Sequence, residues 1–235
     1  MASIFASTTP RPSRHDGPLC NTMNSTPVPN QQAPLPEEVY RIALTREDIN
    51  QLPIRQYEGP VDLVRTETEA RRAVKCLRTE PVLGFDTETR PSFRKGESYL
   101  PSLVQLAAPD RVYLFQLPPG HLFKSLQQIF ADKNVLKIGV SLDYDVKQLQ
   151  ALDEFTAAGF TPLEPLARAH RIKNQGLRGL TAAVLGFRIS KRAQCSNWSR
   201  QQLTETQIRY AATDAWVSLE LYHRLATPDP KARRA

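Results

Sequence analysis

A chain of 235 residues with a formal net charge of +7 is long enough for one domain with a proper core and some tail, and its basic balance suits an anionic partner. No apolar run approaches the length of a membrane span, and no basic stretch followed by an apolar core opens the chain as a secretory signal. Cys20, Cys76 and Cys195 form no C-x-x-C pair, which excludes a disulfide framework or zinc site and points to a reducing, cytoplasmic setting.

Residues 1–40 carry seven prolines among Ser, Thr, Asn and Gln, too little apolar surface to offset ordering, so a disordered tail is expected. The opening Met1-Ala2-Ser3, with Arg11 and Arg14 and no acid before Asp16, has features of an organelle transit peptide, and targeting stays open. Leu44, Ile49, Leu52 and Ile54 mark residues 41–60 as an arm laid on the domain. The domain is expected over 61–226, with a basic tail at 227–235. Within it, residues 61–64 read as a strand. Thr66 and Glu69 form a capping box that opens a helix with Ala70, Val74 and Leu77 on one face. Strands follow at 82–88, 102–107 and 111–117, the last two joined by the turn Ala108-Pro109-Asp110. An amphipathic helix over 121–131 leads to an apolar, central strand at 135–140 and a helix over 142–155. A short strand at 160–163 is followed by a basic helical region and a helix at 177–185, with Gly186 as its C-cap. Thr204 and Gln207 make a second capping box and open a final helix that runs to about Ala226. A meander followed by alternating strands and helices makes an α/β mixed sheet with helices on both faces.

The apolar run Val82-Leu83-Gly84-Phe85 ends in Asp86-Thr87-Glu88. Side chains alternate along a strand, so Asp86 and Glu88 project to one side, where they repel each other unless a positive group sits between them. A divalent ion is the simplest such group. The acidic strand of a P-loop hydrolase would look similar, but the chain has no G-x-x-x-x-G-K-[ST]. Asp145 follows the 135–140 strand, which as a central strand would bring it beside Asp86 and Glu88. On the final helix Tyr210 and Asp214 are four apart and share a face that is otherwise apolar, an unexpected place for an acid unless it is paired or binds a metal.

The set D-x-E, D, Y-x-x-x-D resembles the DEDD superfamily of 3′–5′ exonucleases, in the tyrosine subgroup that includes ribonuclease D and the exonuclease domain of the Werner syndrome protein. The resemblance extends to Lys137-Ile138-Gly139-Val140, Gly176-Leu177-Arg178-Gly179-Leu180, Cys195-Ser196-Asn197-Trp198-Ser199 and Leu203-Thr204, in the same order. The family's other subgroup has histidine five residues before the last aspartate, where this chain has Arg209. The resemblance implies an RNase H-like fold with a mixed five-stranded sheet. It also implies that Asp86, Glu88, Asp145 and Asp214 hold two divalent ions, Mg²⁺ or Mn²⁺, and that Tyr210 orients the attacking water.

Hydrolysis of a phosphodiester puts charge on the attacking and leaving oxygens, which a metal pair stabilises, and hard cations prefer carboxylate oxygen. The substrate would be nucleic acid, DNA or RNA, with single-stranded or frayed 3′ ends. From residue 165 to 203 the chain carries eight arginines and lysines and no acid, among them Arg178, Arg188, Lys191 and Arg192, a candidate phosphate track. Phe93, Arg94 and Lys95 are candidates for stacking on a terminal base and contacting phosphate, and Trp198 reads as a core anchor. Two other readings are an exoribonuclease trimming structured RNA and a non-catalytic relative that only binds nucleic acid or protein. The second sits poorly with four carboxylates and Tyr210 all in place.

Overall fold

The computed structural model describes residues 43–226, so the expected tails at 1–40 and 227–235 lie outside the described residues. Chain order is α1 (Arg46–Gln51), β1 (Val61–Val64), α2 (Glu67–Leu77), β2 (Val82–Thr89), β3 (Pro101–Ala107), β4 (Val112–Gln116) and α3 (Lys124–Phe130), then β5 (Leu136–Gly139), α4 (Leu142–Gln150), β6 (Phe160–Pro162), α5 (Glu164–Ala169), α6 (Leu177–Leu185) and α7 (Glu205–Leu225). The sheet has six strands in the order β1-β4-β3-β2-β5-β6, not the five implied by the resemblance. The shortest, β6, is a three-residue edge strand. It ends in proline, which an edge tolerates because no ladder bond is needed there. Strands β2, β3 and β4 form the antiparallel meander, while β1 pairs parallel to β4, β5 to β2 and β6 to β5.

Alternation along β2 divides the core into two layers. Leu83 and Phe85 face α2, α3 and α4, where Phe85 meets Phe160 and Phe130 edge-on at 5.3 and 6.1 Å. On the other face, Ala211, Ala212, Ala215 and Leu219 of α7 pack on Leu103, Ala107 and Leu114 of β3 and β4. Helices α5 and α6 extend this layer over β5 through Ala167, Leu180, Ala183 and Ile138. Helix α7 lies close on β2 because Gly84 has no side chain. A Cβ there would stand 1.9 Å from the Ala215 carbonyl oxygen.

Two capped helix starts and one capped helix end behave as local chemistry dictates. Thr66 with Glu69 and Thr204 with Gln207 each close a reciprocal capping box, and Gly186 ends α6 at φ 72°. Helix α3 starts three residues later than the 121–131 pattern suggests. Its N-cap Phe123 offers no side-chain acceptor, and the carboxylate of Glu67 on α2 accepts from Lys124 N and Ser125 N instead. Helix α4 stops at Gln150 rather than 155, because Asp153 turns away to accept from Leu122 N at 2.6 Å. The fully buried Lys137 donates to the carbonyls of Ile129, Asp132 and Val135, so its ammonium closes the end of α3 against β5.

A methyl group at residue 84 has to displace α7 from β2. Gly84→Ala is therefore expected to lower unfolding stability by about 1–3 kcal/mol, the usual cost of overpacking, as read by urea unfolding. A stability equal to the parent's would show that this approach is not tight.

Candidate active site

Gly84, Asp86 and Glu88 alternate onto the α7 side of β2, as the strand period requires. Because α7 sits down on Gly84, its buried Asp214 is delivered to the same place. Parallel pairing of β2 with β5, Gly84 opposite Ile138, sets the two carboxyl-terminal strand ends side by side. After β5 the chain turns through Ser141 in the left-handed region, φ 58°, with its N–H held by Glu164 Oε1 at 2.7 Å. This turn starts α4 beside the end of β2, and Asp145 Oδ1 accepts from Thr87 Oγ1 at 2.5 Å. A cleft of about 590 Å³ opens over the cluster, and Asp86, Glu88, Tyr210 and Asp214 line it. Thr87 is also among its lining residues, whereas Asp145, which accepts from Thr87, is not. Among the described residues, no group of three or more acids, histidines or cysteines is placed closely enough to hold a metal ion as it stands.

Electrostatics are the defining property of the cluster. Burial pushes the Asp86 carboxyl up to about 7, with the charge of Asp145 adding to the rise, although Thr87 N–H donates to Asp86 Oδ1 at 2.9 Å. Burial raises Glu88 further, to about 10, aided by Asp86, Asp214 and Asp145. Asp145 rises through burial, and Asp214 rises strongly through burial and then Asp86, against an opposing interaction with the Tyr210 hydroxyl. Burial and the neighbouring carboxylates move Tyr210 far above its ordinary range, so its hydroxyl stays protonated. Asp214 Oδ1 is buried with no hydrogen-bond partner. Among the described residues, none of these acids takes part in an ion pair. Buried and half-buried acids gathered without a counter-charge, with one oxygen orphaned, carry a repulsion and a desolvation cost that a positive group would relieve.

The comparisons with known proteins agree with this chemistry. Residues 61–228 match the family model for the 3′-5′ exonuclease. The chain belongs to that family. It is 32% identical over 150 residues to the Mus musculus bifunctional 3′-5′ exonuclease/ATP-dependent helicase WRN, which covers 61% of this chain and 11% of that protein. It is 30% identical over 203 residues to an Arabidopsis thaliana 3′-5′ exonuclease, covering 77% of this chain and 69% of that one. The solved Aedes aegypti Nibbler EXO domain superposes with a TM-score of 0.64 at 27% identity, over 77% of this chain and 96% of that domain. The chain thus spans only a small part of the longest of these relatives.

Within the exonuclease domain the basic residues divide. Arg178 and Lys191 line the cleft, but Arg192 does not. Arg188 is taken up structurally, its Nε donating to the Leu52 carbonyl at 2.9 Å. Phe93, Arg94 and Lys95 also lie outside the cleft lining, and Phe93 is 83% exposed. Their loop is folded on itself, with Ser92 Oγ donating to the Glu97 carbonyl at 2.7 Å and Arg90 stacked over Tyr99. Trp198 is fully buried, with its ring 5.9 Å from that of Tyr210, and is the core anchor expected of it. Sequence reasoning missed two features. Thr87 holds Asp145 through a side chain that the D-x-E pattern skips over. Gln105, opposite Asp86 on β3, is a buried amide with no partner for either polar atom.

The raised carboxyls set a pH dependence of stability. In the unfolded chain Asp86 ionises near the ordinary carboxylate range, about 3.9, and in the folded chain only near 7. The folded state therefore holds the proton longer, and stability falls as pH rises through that window. In metal-free buffer, Asp86→Asn is expected to raise Tm by several degrees at pH 8 and by clearly less at pH 5. An equal gain at both pH values would contradict the crowding of these acids.

Proposed function

We propose that the chain is a divalent-metal-dependent 3′–5′ exonuclease acting on single-stranded or frayed 3′ ends of nucleic acid. Asp86, Glu88, Asp145 and Asp214 would hold two ions, Mg²⁺ or Mn²⁺. The observation that carries this reading is the buried acid cluster without counter-charge, including the orphaned Asp214 Oδ1, in a chain of the 3′-5′ exonuclease family. The donors are carboxylate oxygens, which suit hard cations. When bound, such ions supply charge for the attacking and leaving oxygens and acidify the attacking water.

The chain's own residues account for the remaining tasks. Tyr210 keeps its proton through the neutral range, so its role is to donate a hydrogen bond to the attacking water, not to abstract a proton. Packing against Trp198 holds its ring, which limits where the hydroxyl points. Gly84 sets the depth of α7 and therefore of Asp214. Arg178 and Lys191 lie in the same cleft and suit the phosphates of an incoming strand. With Asp86 and Glu88 on a central strand and Asp214 on the helix packed over it, the donors stand on rigid elements, which favours a fixed geometry at the reacting phosphate.

The test is incubation of the full chain with 5′-labelled single-stranded DNA and RNA in Mg²⁺, Mn²⁺ or EDTA. A ladder of shortening labelled products in metal, and none in EDTA, is expected. Asp214→Asn is expected to abolish it, and Tyr210→Phe to slow it roughly 10–100-fold, as for residues that orient a metal site's reactants. Immediate release of labelled mononucleotide would mean attack from the 5′ end, and cutting of a circular strand would mean an endonuclease.

A further inference from the structure

Residues 43–57 lie ahead of the segment that matches the exonuclease family, which begins at residue 61. They are nevertheless built into the cleft. Leu44, Arg46 and Ile49 line it together with Asp86, Glu88 and Asp214. We propose that this arm is a substrate-binding wall of the cleft, and that Arg46 holds a backbone phosphate of the nucleic-acid strand. The proposal rests on the exonuclease reading of the same cleft.

The arm is fixed at four points. Leu44 N donates to Asn174 Oδ1 and Asn174 Nδ2 donates to the Leu44 carbonyl, both at 3.0 Å. Arg178 Nη2 donates to Asn50 Oδ1 at 2.7 Å. Arg188 N donates to the Pro53 carbonyl at 2.9 Å and Arg55 N to the Arg188 carbonyl at 3.0 Å, a parallel bridge. Tyr57 N donates to Thr213 Oγ1 at 2.9 Å, one residue before Asp214. Ile49 is buried, so α1 is seated by packing as well as by hydrogen bonds. A segment tied down on both sides of α1 presents its cleft-facing side chains in a set place, with little ordering cost left for binding.

Arg46 is exposed, and among the described residues no carboxylate pairs with it. With Arg178 and Lys191 it is one of three cationic side chains lining a cleft whose other charged members are Asp86, Glu88 and Asp214. The arrangement separates tasks. Acids suit metal, and guanidinium groups suit the non-bridging oxygens of phosphates further along the strand, which they meet with a planar fork. Arg46 stands here as a binding residue, and its loss should act on affinity.

Binding of a fluorescein-labelled single-stranded oligonucleotide by the full chain, in divalent-free buffer at several salt concentrations, tests the arm. Turnover of the same strand in Mg²⁺ is measured alongside. Arg46→Ala is expected to weaken binding about fivefold at low salt and to flatten the salt slope by about 0.7, one single-strand phosphate contact. In turnover the loss is expected in KM more than in kcat. Arg46→Lys should restore much of the affinity, and Arg46→Glu should lose more than Arg46→Ala. Lys133→Ala, which removes an equal charge outside the cleft, should bind as the parent does. A folded Arg46→Ala protein with the parent's affinity and salt slope would overturn the arm's role while leaving the exonuclease reading standing. A parent that binds the strand but never cuts it would overturn the exonuclease reading, and the Arg46 comparison would still decide the arm. An equal loss in Arg46→Ala and Lys133→Ala would reduce the effect to net charge and overturn the proposal.

Discussion

The structure depends on the contact between the backbone of α7 and Gly84 of β2. With no side chain at residue 84, the Ala215 carbonyl occupies space that a Cβ would need. That single approach brings Asp214 to Asp86 and Glu88, and it places Tyr210 one helical turn earlier over the same cleft. The apolar residues around it, Ala211, Ala212, Ala215 and Leu219, hold the helix down on β3 and β4, so packing energy positions the acids against their mutual repulsion. Stability and chemistry therefore pull in opposite directions at this place. The fold keeps buried carboxylates that it would be more stable without, as functional sites commonly do.

The same logic distinguishes this cluster from the other buried charge among the described residues, Lys137. Lys137 is fully buried, yet three carbonyls accept from its ammonium. Burial lowers it to about 8, and its role is explained within the fold. Asp86, Glu88 and Asp214 have no such set of partners. A buried group that is satisfied reads as structure, and a buried group left unsatisfied in a cleft reads as a site awaiting something from solution.

Much of this was legible in the sequence because the signals were local. Alternation placed Asp86 and Glu88 on one face, and the four-residue spacing placed Tyr210 with Asp214. The capping boxes at Thr66 and Thr204, and Gly186, marked helix ends correctly. What was not legible depended on partners distant in the chain. The start of α3 is set by Glu67, 57 residues before Lys124. Asp145 turns to Thr87 because of the face of β2 that α4 approaches, which no spacing within residues 142–150 encodes. Charge counting treated Arg188 as part of a phosphate track, whereas the arm's carbonyls claim it. The loop at 90–100 carries Phe93, Arg94 and Lys95 near the carboxylates in sequence, but its own hydrogen bonds fold it on itself, and none of the three is among the cleft-lining residues.

The central claim is that the acids of β2, α4 and α7 form one cation-binding group. Crystals of the full chain soaked in Mn²⁺, with anomalous scattering recorded at the manganese edge, test it most directly. The account predicts peaks bounded by Asp86, Glu88 and Asp214, with Asp145 among the ligands, at metal–oxygen distances of roughly 2.0–2.6 Å for such hard ions. Crystals with no peak there at saturating Mn²⁺, or with a lysine or arginine side chain seated between the carboxylates instead, would contradict it.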